Sequence, residues 1–519
     1  MTTSNFCRER RFPRAEPGSA AERRPPARKS GTKKNVPLRV VPAPAAEKRR
    51  AKNGAGKAVG RNFHAVGNNG ETARSELRRE RFRAQMRLIE GALRFVLSGV
   101  FGRHLPGDLL LAELFRSDRR CGSRDRAAMS AGVYAVLRHW GVLRRLVSEE
   151  VCRSLESGKP EEVAPRDLCI LLIAALIVDG GHDELVASLA REAGAAVSEL
   201  PVSAASWEER CRAAAAFAGV SLEPAAAMLV PDWVPGALPA DFSPDEWYAT
   251  LTRRPPLWLR LQGKGAEAVV TAELEAVGLE FRREPRMRGA IAVTGGKVNL
   301  FSLDSYRKGF FEVQDLASQC IGAICAPRRG ERWYDPCAGA GGKTLQLAEL
   351  MHRRGVVLAG DVRERKLEEL RRRARRGGFP NVSARLHEGR PPRGMHPVDG
   401  LLIDAPCSGS GVWRRNPGLQ WLLTPEKIAE YAARQLAILE AFYPVLKPGG
   451  VLVYATCSVF AEENEETVRR FMARHDDLVA EEFDHPLGFG KVSTGMVHIQ
   501  SSDGDCDSLF AARLRRRMR

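Results

Sequence analysis

Two cysteines stand at matching places in the second half of the chain. Cys407 lies in "LLIDAPCSGSG" and Cys457 in "LVYATCS", and each follows an apolar run that is typical of a buried strand. Most of the eleven cysteines of the chain are expected to be small buried hydrophobes. A pair at the ends of two strands could instead bring two reactive thiols to one site.

Two thiols beside a carboxylate could act on a pyrimidine ring. A thiolate adds to ring carbon 6 better than other side chains do near neutral pH, and the adduct can accept a methyl group at carbon 5. An acid must also bond ring nitrogen 3 as charge develops there, and Asp404 stands three residues before Cys407. A second group near the ring can assist when the carbon 5 proton leaves and the thiolate is expelled.

A glycine-rich turn precedes these motifs. "DPCAGAGGKT", residues Asp335 to Thr344, follows a strand-like segment, and its glycines allow backbone to approach a ligand closely. A tight packing turn is an alternative interpretation. The next strand ends at Asp361, which could bond a ribose diol or could be an acid in the first turn of a helix, and the third ends near Glu388.

These features predict a cofactor and a fold. A nucleoside without phosphates, held by a glycine turn and two or three acids, fits S-adenosylmethionine, whose sulfonium charge suits an acidic cleft. From Trp333 onward strands and helices alternate, which predicts a parallel, doubly wound sheet with ligands beyond the carboxyl ends of its strands. We therefore predict an α/β, Rossmann-like class I S-adenosylmethionine-dependent methyltransferase domain.

The motifs also carry a family resemblance over residues 256–519. "DAPCSGSG", "YATCSVFAEEN", "DPCAGAGGKT" and "FFEVQDLASQ" resemble the RsmB/Nop2/Sun family of RNA (cytosine-5)-methyltransferases. The resemblance implies that Cys457 is the nucleophile, that Cys407 aids product release and that Asp404 assists catalysis. It also implies that the cofactor is bound by Cys337, Ala338, Gly339, Ala340, Gly341, Gly342, Lys343, Asp361, Glu388 and Asp404.

Two positions and one segment depart from the family pattern. Ala340 replaces a proline that is usual in the glycine turn, and Glu388 stands where Asp is usual. The closing segment "SSDGDCDSLFAARLRR" has extra acids whose purpose the sequence does not indicate.

Five segments are predicted along the chain. Residues 1–80 form a disordered basic arm, because a sequence rich in Arg, Pro, Gly and Ala cannot bury enough apolar surface to fold. Residues 81–225 form an all-helical domain, 226–255 a proline-punctuated linker, and 256–325 a small α+β RNA-binding subdomain. Residues 326–519 form the Rossmann-like methyltransferase domain.

The helical segment resembles the NusB-type RNA-binding domain of bacterial RsmB enzymes. The likeness lies in "GSRDRAAMSAGVYAVLRHW", residues Gly122 to Trp140. An unrelated helical bundle is the alternative. The resemblance implies ribosomal RNA as substrate rather than transfer RNA.

Composition bounds the partners. Net charge is +18, and residues 1–80 hold 20 Lys and Arg against 7 Asp and Glu, which favours an anionic partner such as RNA over a merely solubilising tail. The cysteines show no paired metal-ligand spacing, so we expect no metal, and free thiols fit a reducing, cytoplasmic location. We also expect no membrane segment and a monomeric protein.

Three alternatives stay open. The chain could be a transfer RNA cytosine-5 methyltransferase, or a non-catalytic RNA-binding factor for ribosome assembly. It could also be a DNA cytosine or RNA uracil methyltransferase. A DNA cytosine enzyme uses the cysteine of the Pro-Cys pair as its nucleophile, so the identity of the attacking cysteine distinguishes that case.

Overall fold

The first described part of the chain is a set of packed helices. The structure is a computed structural model that describes residues 69–117, 121–180, 186–187, 205–240, 242–296 and 298–518. Most of the predicted basic arm lies outside these residues, although the first helix begins inside its expected bounds. The helices are α1 Asn69–Leu97, α2 Gly107–Ser117, α3 Ser123–Arg138, α4 Trp140–Leu143, α5 Glu149–Glu156, α6 Pro165–Asp179 and α7 Trp207–Phe217.

Local signals explain these helices. The apolar run Leu168–Val178 lies within α6, which begins with Pro165 and stops at Gly180, a residue with φ of +72°. Helix α7 is capped by Ser206, whose hydroxyl accepts from the amide of Glu209 while the Glu209 carboxylate accepts from the amide of Ser206. The helical prediction for this region is confirmed.

The segment predicted as a linker is packed rather than extended. It contains helix α8, Pro244–Leu251, and buries Val230, Val234 and Trp247. The Trp247 ring lies 5.6 Å from that of Trp413, measured between centroids. The apolar side chains between the prolines form a buried face. The linker prediction was based on the prolines alone and overlooked these side chains.

A small antiparallel sheet follows, in the strand order β2-β3-β1-β4. Its elements are β1 Leu257–Leu261, α9 Ala266–Ala276, β2 Glu280–Arg283, β3 Ala290–Gly295, α10 Asp304–Arg307 and β4 Phe311–Val313. Its own apolar cluster joins Leu259, Val270 and Phe311. This matches the small α+β unit that was predicted, apart from its carboxyl boundary.

The large sheet has the strand order β10-β14-β9-β8-β5-β6-β7, and β13 also pairs with β14. Strands β5 to β9 pair in parallel, whereas β10, β13 and β14 pair antiparallel. The strands are β5 Arg332–Asp335, β6 Val356–Asp361, β7 Val382–Leu386, β8 Val398–Asp404, β9 Leu446–Thr456, β10 Leu478–Ala480, β13 Met496–Ile499 and β14 Leu509–Arg516. This is the class I methyltransferase sheet that was predicted.

Helices and a short hairpin complete this part. They are α11 Leu316–Cys325, α12 Gly342–Leu350, α13 Glu364–Gly377, α14 Pro425–Phe442, α15 Glu465–Met472, α16 Ser501–Gly504 and the hairpin of β11 Phe483–Asp484 with β12 Lys491–Val492. Helix α11 shares a core cluster with the large sheet, through Ile321 and Cys325 packed with Val453 and Ala511. It therefore belongs with the methyltransferase sheet, although it was predicted as the end of the small subdomain.

Among the described residues, we find no helix that combines the length and the apolar character needed to cross a bilayer.

Candidate active site

A cavity of about 600 Å³ opens at the carboxyl ends of β5, β6 and β8. Most of the residues predicted to bind a cofactor line it: Cys337, Ala338, Gly339, Ala340, Gly342, Lys343, Asp361 and Asp404. Because the carboxyl ends of parallel strands meet at one edge, segments that are far apart in sequence converge here.

The glycine turn forms one wall. Its amides are held by the bonds from Ala338 N to Gly360 O, 2.9 Å, and from Gly341 N to Ala338 O, 2.8 Å. Gly341 has φ of +89° and caps α12, and a Cβ there would lie 2.6 Å from Leu370 Cγ. Gly341 was predicted to bind the cofactor, but it does not line the cavity. It has the packing role that was the alternative interpretation of the glycine turn.

Asp361 is held as an acceptor at the edge of the cavity. It is 4% exposed; one carboxylate oxygen accepts from Gly339 N at 3.0 Å and the other from Arg363 N at 2.8 Å. Burial acts to raise the pKa of Asp361, but the hydrogen bonds and charge of Arg363 outweigh it and hold that pKa below its usual value. An ionised carboxylate is thus available beside the glycine turn.

Glu388 does not reach the cavity, contrary to the sequence prediction. Its side chain is 86% exposed and lies 3.6 Å from Arg390. Strand β7 ends at Leu386, and the next residue, His387, turns inward, with its Nε2 2.8 Å from Pro336 O. The chain bends at Glu388, directly after His387, and leaves the Glu388 side chain in solvent.

The cysteines come together as the order of the motifs predicted. Strands β8 and β9 are parallel neighbours, with Asp404 paired to Ala455. Cys407 and Cys457 follow these strands, and their sulfur atoms lie 3.2 Å apart as free thiols. The two thiols can therefore contact one bound molecule.

The surroundings of Cys407 favour its neutral thiol form. The hydrogen bond with Cys457, then burial, then the negative charge of Glu463 raise the pKa of Cys407 well above its usual value. Cys407 therefore keeps its proton at neutral pH and can donate it to its neighbour.

Lys343, at the end of the glycine turn, forms an ion pair with Asp404, at the end of β8. Its Nζ lies 2.7 Å from Asp404 Oδ2. Burial acts to lower the pKa of Lys343, but Asp404 outweighs it and raises that pKa, so the lysine stays charged. The Asp404 carboxylate is thus oriented between the glycine turn and the cysteine pair.

The extra acids of the closing segment pair with the loop after Cys407. Asp505 lies 2.6 Å from Arg414, and Asp507 lies 2.9 Å from Arg415, which also contacts Asp315 at 2.6 Å. The Nε–H of Arg415 donates to both carboxylate oxygens of Asp507 while its Nη2 donates to Asp315, so the guanidinium ties that loop to two other segments.

Sequence reasoning missed one wall of the cavity, formed by α14. Arg434, Ile438 and Phe442 line it at intervals of four residues, which is the spacing of one helix face. That spacing was a usable signal, but nothing in it distinguishes a cavity face from an ordinary packed one. Among the described residues, no group of three or more His, Cys, Asp or Glu could hold a metal ion.

Residues 323–515 match a family model described as 16S rRNA methyltransferase RsmB/F. The ribosomal RNA small subunit methyltransferase B of Salmonella paratyphi B is 35% identical over 269 residues, which is 50% of this chain and 62% of that protein. The protein of the same name from Yersinia pestis bv. Antiqua is 34% identical over 284 residues, which is 53% of this chain and 65% of that protein. The chain thus spans a little under two thirds of the length of these relatives.

The fold has a counterpart among solved structures. The crystal structure of PH0851 aligns with a TM-score of 0.62 and 22% identity, covering 82% of this chain and 98% of that one. At this identity the similarity is one of fold.

Proposed function

We propose, from the match of residues 323–515 to the RsmB/F family model, that the chain is a methyltransferase of that family and transfers a methyl group from S-adenosylmethionine to carbon 5 of a cytosine in RNA. One observation carries the proposal. Two free thiols lie 3.2 Å apart beside a cavity to which Asp404 also contributes. Addition to carbon 6 uses one thiol, and the second thiol is placed to assist when the adduct is cleared.

The residues of the cavity fit the proposed cofactor. Its volume of about 600 Å³ is in the range of small-molecule sites, and the ionised Asp361 beside Gly339 can accept from a ribose diol. Val362, Ile438 and Phe442 offer apolar surface to a base. When bound, S-adenosylmethionine supplies the electrophilic methyl group.

We assign the following steps to the protein side chains. The Asp404 carboxylate takes the thiol proton of Cys457 as the sulfur bonds carbon 6 and the ring double bond between carbons 5 and 6 opens. The resulting acid donates that proton to ring nitrogen 3, where negative charge develops. Lys343 keeps the Asp404 carboxylate oriented. Once the methyl group is in place, the carbon 5 proton passes to solvent, the double bond between carbons 5 and 6 re-forms and the bond between carbon 6 and the Cys457 sulfur breaks. Cys407, which keeps its proton, assists by donating a hydrogen bond to the departing Cys457 thiolate, and that thiolate regains its proton from ring nitrogen 3.

The proposed substrate is ribosomal RNA. The relatives named above are ribosomal RNA methyltransferases, and the net charge of +18 suits an RNA partner. The NusB-like character of the helical region, the RNA-binding role of the small subdomain, the monomeric state and the cytoplasmic location belong to the same proposal. The non-catalytic alternative is disfavoured because Cys457, Cys407, Asp404 and the glycine turn converge at one edge of the sheet.

Nucleoside analysis tests this function. The full chain is incubated with 16S ribosomal RNA and S-adenosylmethionine carrying a labelled methyl group, and the RNA is digested to nucleosides. We expect label in 5-methylcytidine, and none with the Cys457→Ala variant. Label in another nucleoside, or no transfer by a folded chain that binds the cofactor, would overturn the proposal.

A further inference from the structure

We propose that Glu463 and Asn464 are positioning residues that hold the two cysteines at their working separation. They clamp the Cys407 loop, residues 405–416, to the Cys457 loop, residues 457–462. The inference rests on the proposed function for its catalytic consequence, but the geometry that it describes can be tested without RNA or cofactor.

The Glu463 carboxylate reaches both loops. One of its oxygens accepts from the amide of Ser408, next to Cys407, at 2.9 Å, and the other from the hydroxyl of Ser458, next to Cys457, at 2.5 Å. Gln435 donates to the first oxygen at 2.8 Å and also to Pro406 O at 3.1 Å. The residues on both sides of Cys407 are therefore tied to this one carboxylate.

Asn464 binds the chain on both sides of Cys457. Its amide oxygen accepts from the hydroxyl of Thr456 at 2.6 Å, and its amide nitrogen donates to Ser458 O at 2.9 Å. Thr456 and Ser458 are the two neighbours of Cys457. Glu463 and Asn464 thus contact both neighbours of Cys457 and one neighbour of Cys407, Ser408, while Gln435 links Glu463 to the other, Pro406.

The chemistry of the clamp requires a carboxylate. Glu463 is fully buried, and its three donors are neutral groups: a backbone amide, a side-chain amide and a hydroxyl. A buried charge is tolerated only when its hydrogen bonds are satisfied, and bonds to a charged acceptor are the stronger ones. Gln at this position has one acceptor oxygen, which can serve Ser408 and Gln435, but its N–H2 group replaces the oxygen that accepts from Ser458. That contact survives only if the Ser458 hydroxyl turns from donor to acceptor, and the charge-assisted bonds are lost in every case.

The consequence concerns the loops and not the fold as a whole. Both cysteines lie just beyond strand ends, where backbone is no longer held by the sheet. A displacement of about 1 Å at a reacting group can cost on the order of a hundredfold in rate. A clamp that ties both loops to one side chain is therefore expected to act on the distance between the thiols first.

Thiol bridging provides the test. Dibromobimane becomes fluorescent when it links two adjacent thiols, and the full chain can be treated with it in the absence of RNA and cofactor. The signal that disappears in Cys407→Ala and in Cys457→Ala measures this pair specifically. We expect Glu463→Gln to slow that signal by about tenfold or more, because it loosens the geometry, whereas Glu462→Gln, at the adjacent position, leaves it unchanged.

Stability and catalysis are measured on the same variants. A thermal melt checks folding, and Glu463→Asp, which retains the charge on a shorter arm, should recover part of the bridging rate. Methyl transfer by Glu463→Gln should show a reduced kcat with little change in KM, because no substrate contact is removed. If Glu463→Gln fails to fold, Asn464→Ala is the second variant, with the same expectation for bridging.

The outcomes separate the two claims. A folded Glu463→Gln or Asn464→Ala that bridges at the wild-type rate would overturn the clamp. Slow bridging in a chain that never methylates cytosine would support the clamp and count against the proposed function.

Discussion

At the residue scale, two acids that follow neighbouring strands have different surroundings. Asp361 is 4% exposed and accepts from the glycine turn, whereas the side chain of Glu388 is 86% exposed beside Arg390. Both acids were predicted to bind the cofactor, because each follows a strand of the sheet. Burial and hydrogen bonding leave only Asp361 as a candidate ligand of the ribose.

We expect Asp361→Ala to weaken S-adenosylmethionine binding by about 1 to 3 kcal/mol, because a buried partner of the ligand is removed. Glu388→Ala is the matched control and should bind as the wild type does. Isothermal titration calorimetry on the full chain measures both. Equal affinities for Asp361→Ala and wild type would remove Asp361 from the site.

Asp335, at the end of β5, makes stability depend on pH. Burial, with a smaller contribution from Asp404, raises the pKa of Asp335 to about 7. An unfolded Asp titrates near about 4, so between about pH 4 and 7 the folded chain holds a proton that the unfolded chain has released. The contribution of Asp335 to the free energy of unfolding therefore falls as pH rises through that window, by up to ~1.4 kcal/mol per pH unit.

Asp335→Asn should flatten this dependence, since Asn cannot ionise and can still accept from Thr344 Oγ1, which lies 2.6 Å from Oδ2 in the wild type. Thermal melts of both chains at pH 5, 6 and 7 measure the difference. The melting temperature of the wild type should drop relative to that of the variant as pH rises. Parallel curves would show that Asp335 does not titrate in this window.

The sequence predicted which candidate residues would meet at the edge of the sheet, but it did not predict every wall of the cavity. The cysteines and Asp404 follow apolar runs, and the sheet edge brings such positions together. The prediction that Glu388 lines the cavity was wrong because the turn after β7 directs His387 inward instead. The inward position of His387 depends on its packing against Phe442, whose ring lies 5.1 Å away between centroids. Such a contact is set by tertiary structure and leaves no local pattern.

At the element scale, the helical region packs directly against the loops that carry the cysteines. The segment 226–251 contacts both, with Trp233 against Phe460 at 5.3 Å and Trp247 against Trp413 at 5.6 Å between ring centroids. A short helical segment after the first loop, Pro417–Leu422, packs on α3, and Trp421 Nε1 donates to Leu137 O at 2.8 Å. The helical region thus supports the walls of the active site.

Gly141 in α4 marks the tightest point of this packing. A Cβ at that position would lie 1.9 Å from Met228 O and 2.8 Å from the Trp421 ring. We expect Gly141→Ala to lower the free energy of unfolding by about 1 to 3 kcal/mol or more, because backbone must move to admit a methyl group. Urea denaturation measures the change.

Gly91→Ala in α1 is the control for that substitution. Nothing lies within 4 Å of a Cβ there, so alanine should stabilise the helix by about 0.5 to 1 kcal/mol. If both substitutions changed stability in the same direction and by the same amount, the packing at Gly141 would not be tight.

At the element scale, the spacing of apolar residues predicted the helices and strands. The proline content led to the wrong prediction of a linker at residues 226–255. The helices and the alternating strands were expected from apolar spacing, and the sheet order matches the predicted class. The packed segment 226–251 was mistaken for a linker because its buried residues are too few and too irregular to form a period. Its tryptophans were the signal that it buries a face.

At the scale of the whole molecule, charge is concentrated at the amino end. Residues 1–68, which precede the described part, hold 17 Lys and Arg against 4 Asp and Glu. We expect removal of residues 1–68 to weaken RNA binding and to reduce its salt dependence, by roughly 0.7 in the log–log slope for each single-strand phosphate that is no longer neutralised. Filter binding across a salt series measures the slope.

A full-length variant with the Lys and Arg of residues 1–68 replaced by Gln separates charge from length. It should behave as the truncated chain does, and both should retain the melting temperature of the wild type. An unchanged salt slope in the truncated chain would mean that this segment neutralises no phosphates.

The central claim is that two thiols 3.2 Å apart act in successive steps on one cytosine. The most direct measurement is a denaturing gel of the full chain incubated with labelled substrate RNA and S-adenosylmethionine. If Cys457 attacks and Cys407 clears the adduct, Cys407→Ala should accumulate a covalent protein–RNA species, because a later step is removed while the earlier one continues. Cys457→Ala and the double variant should form none. Trapping by Cys457→Ala but not by Cys407→Ala would reverse the roles and contradict this account.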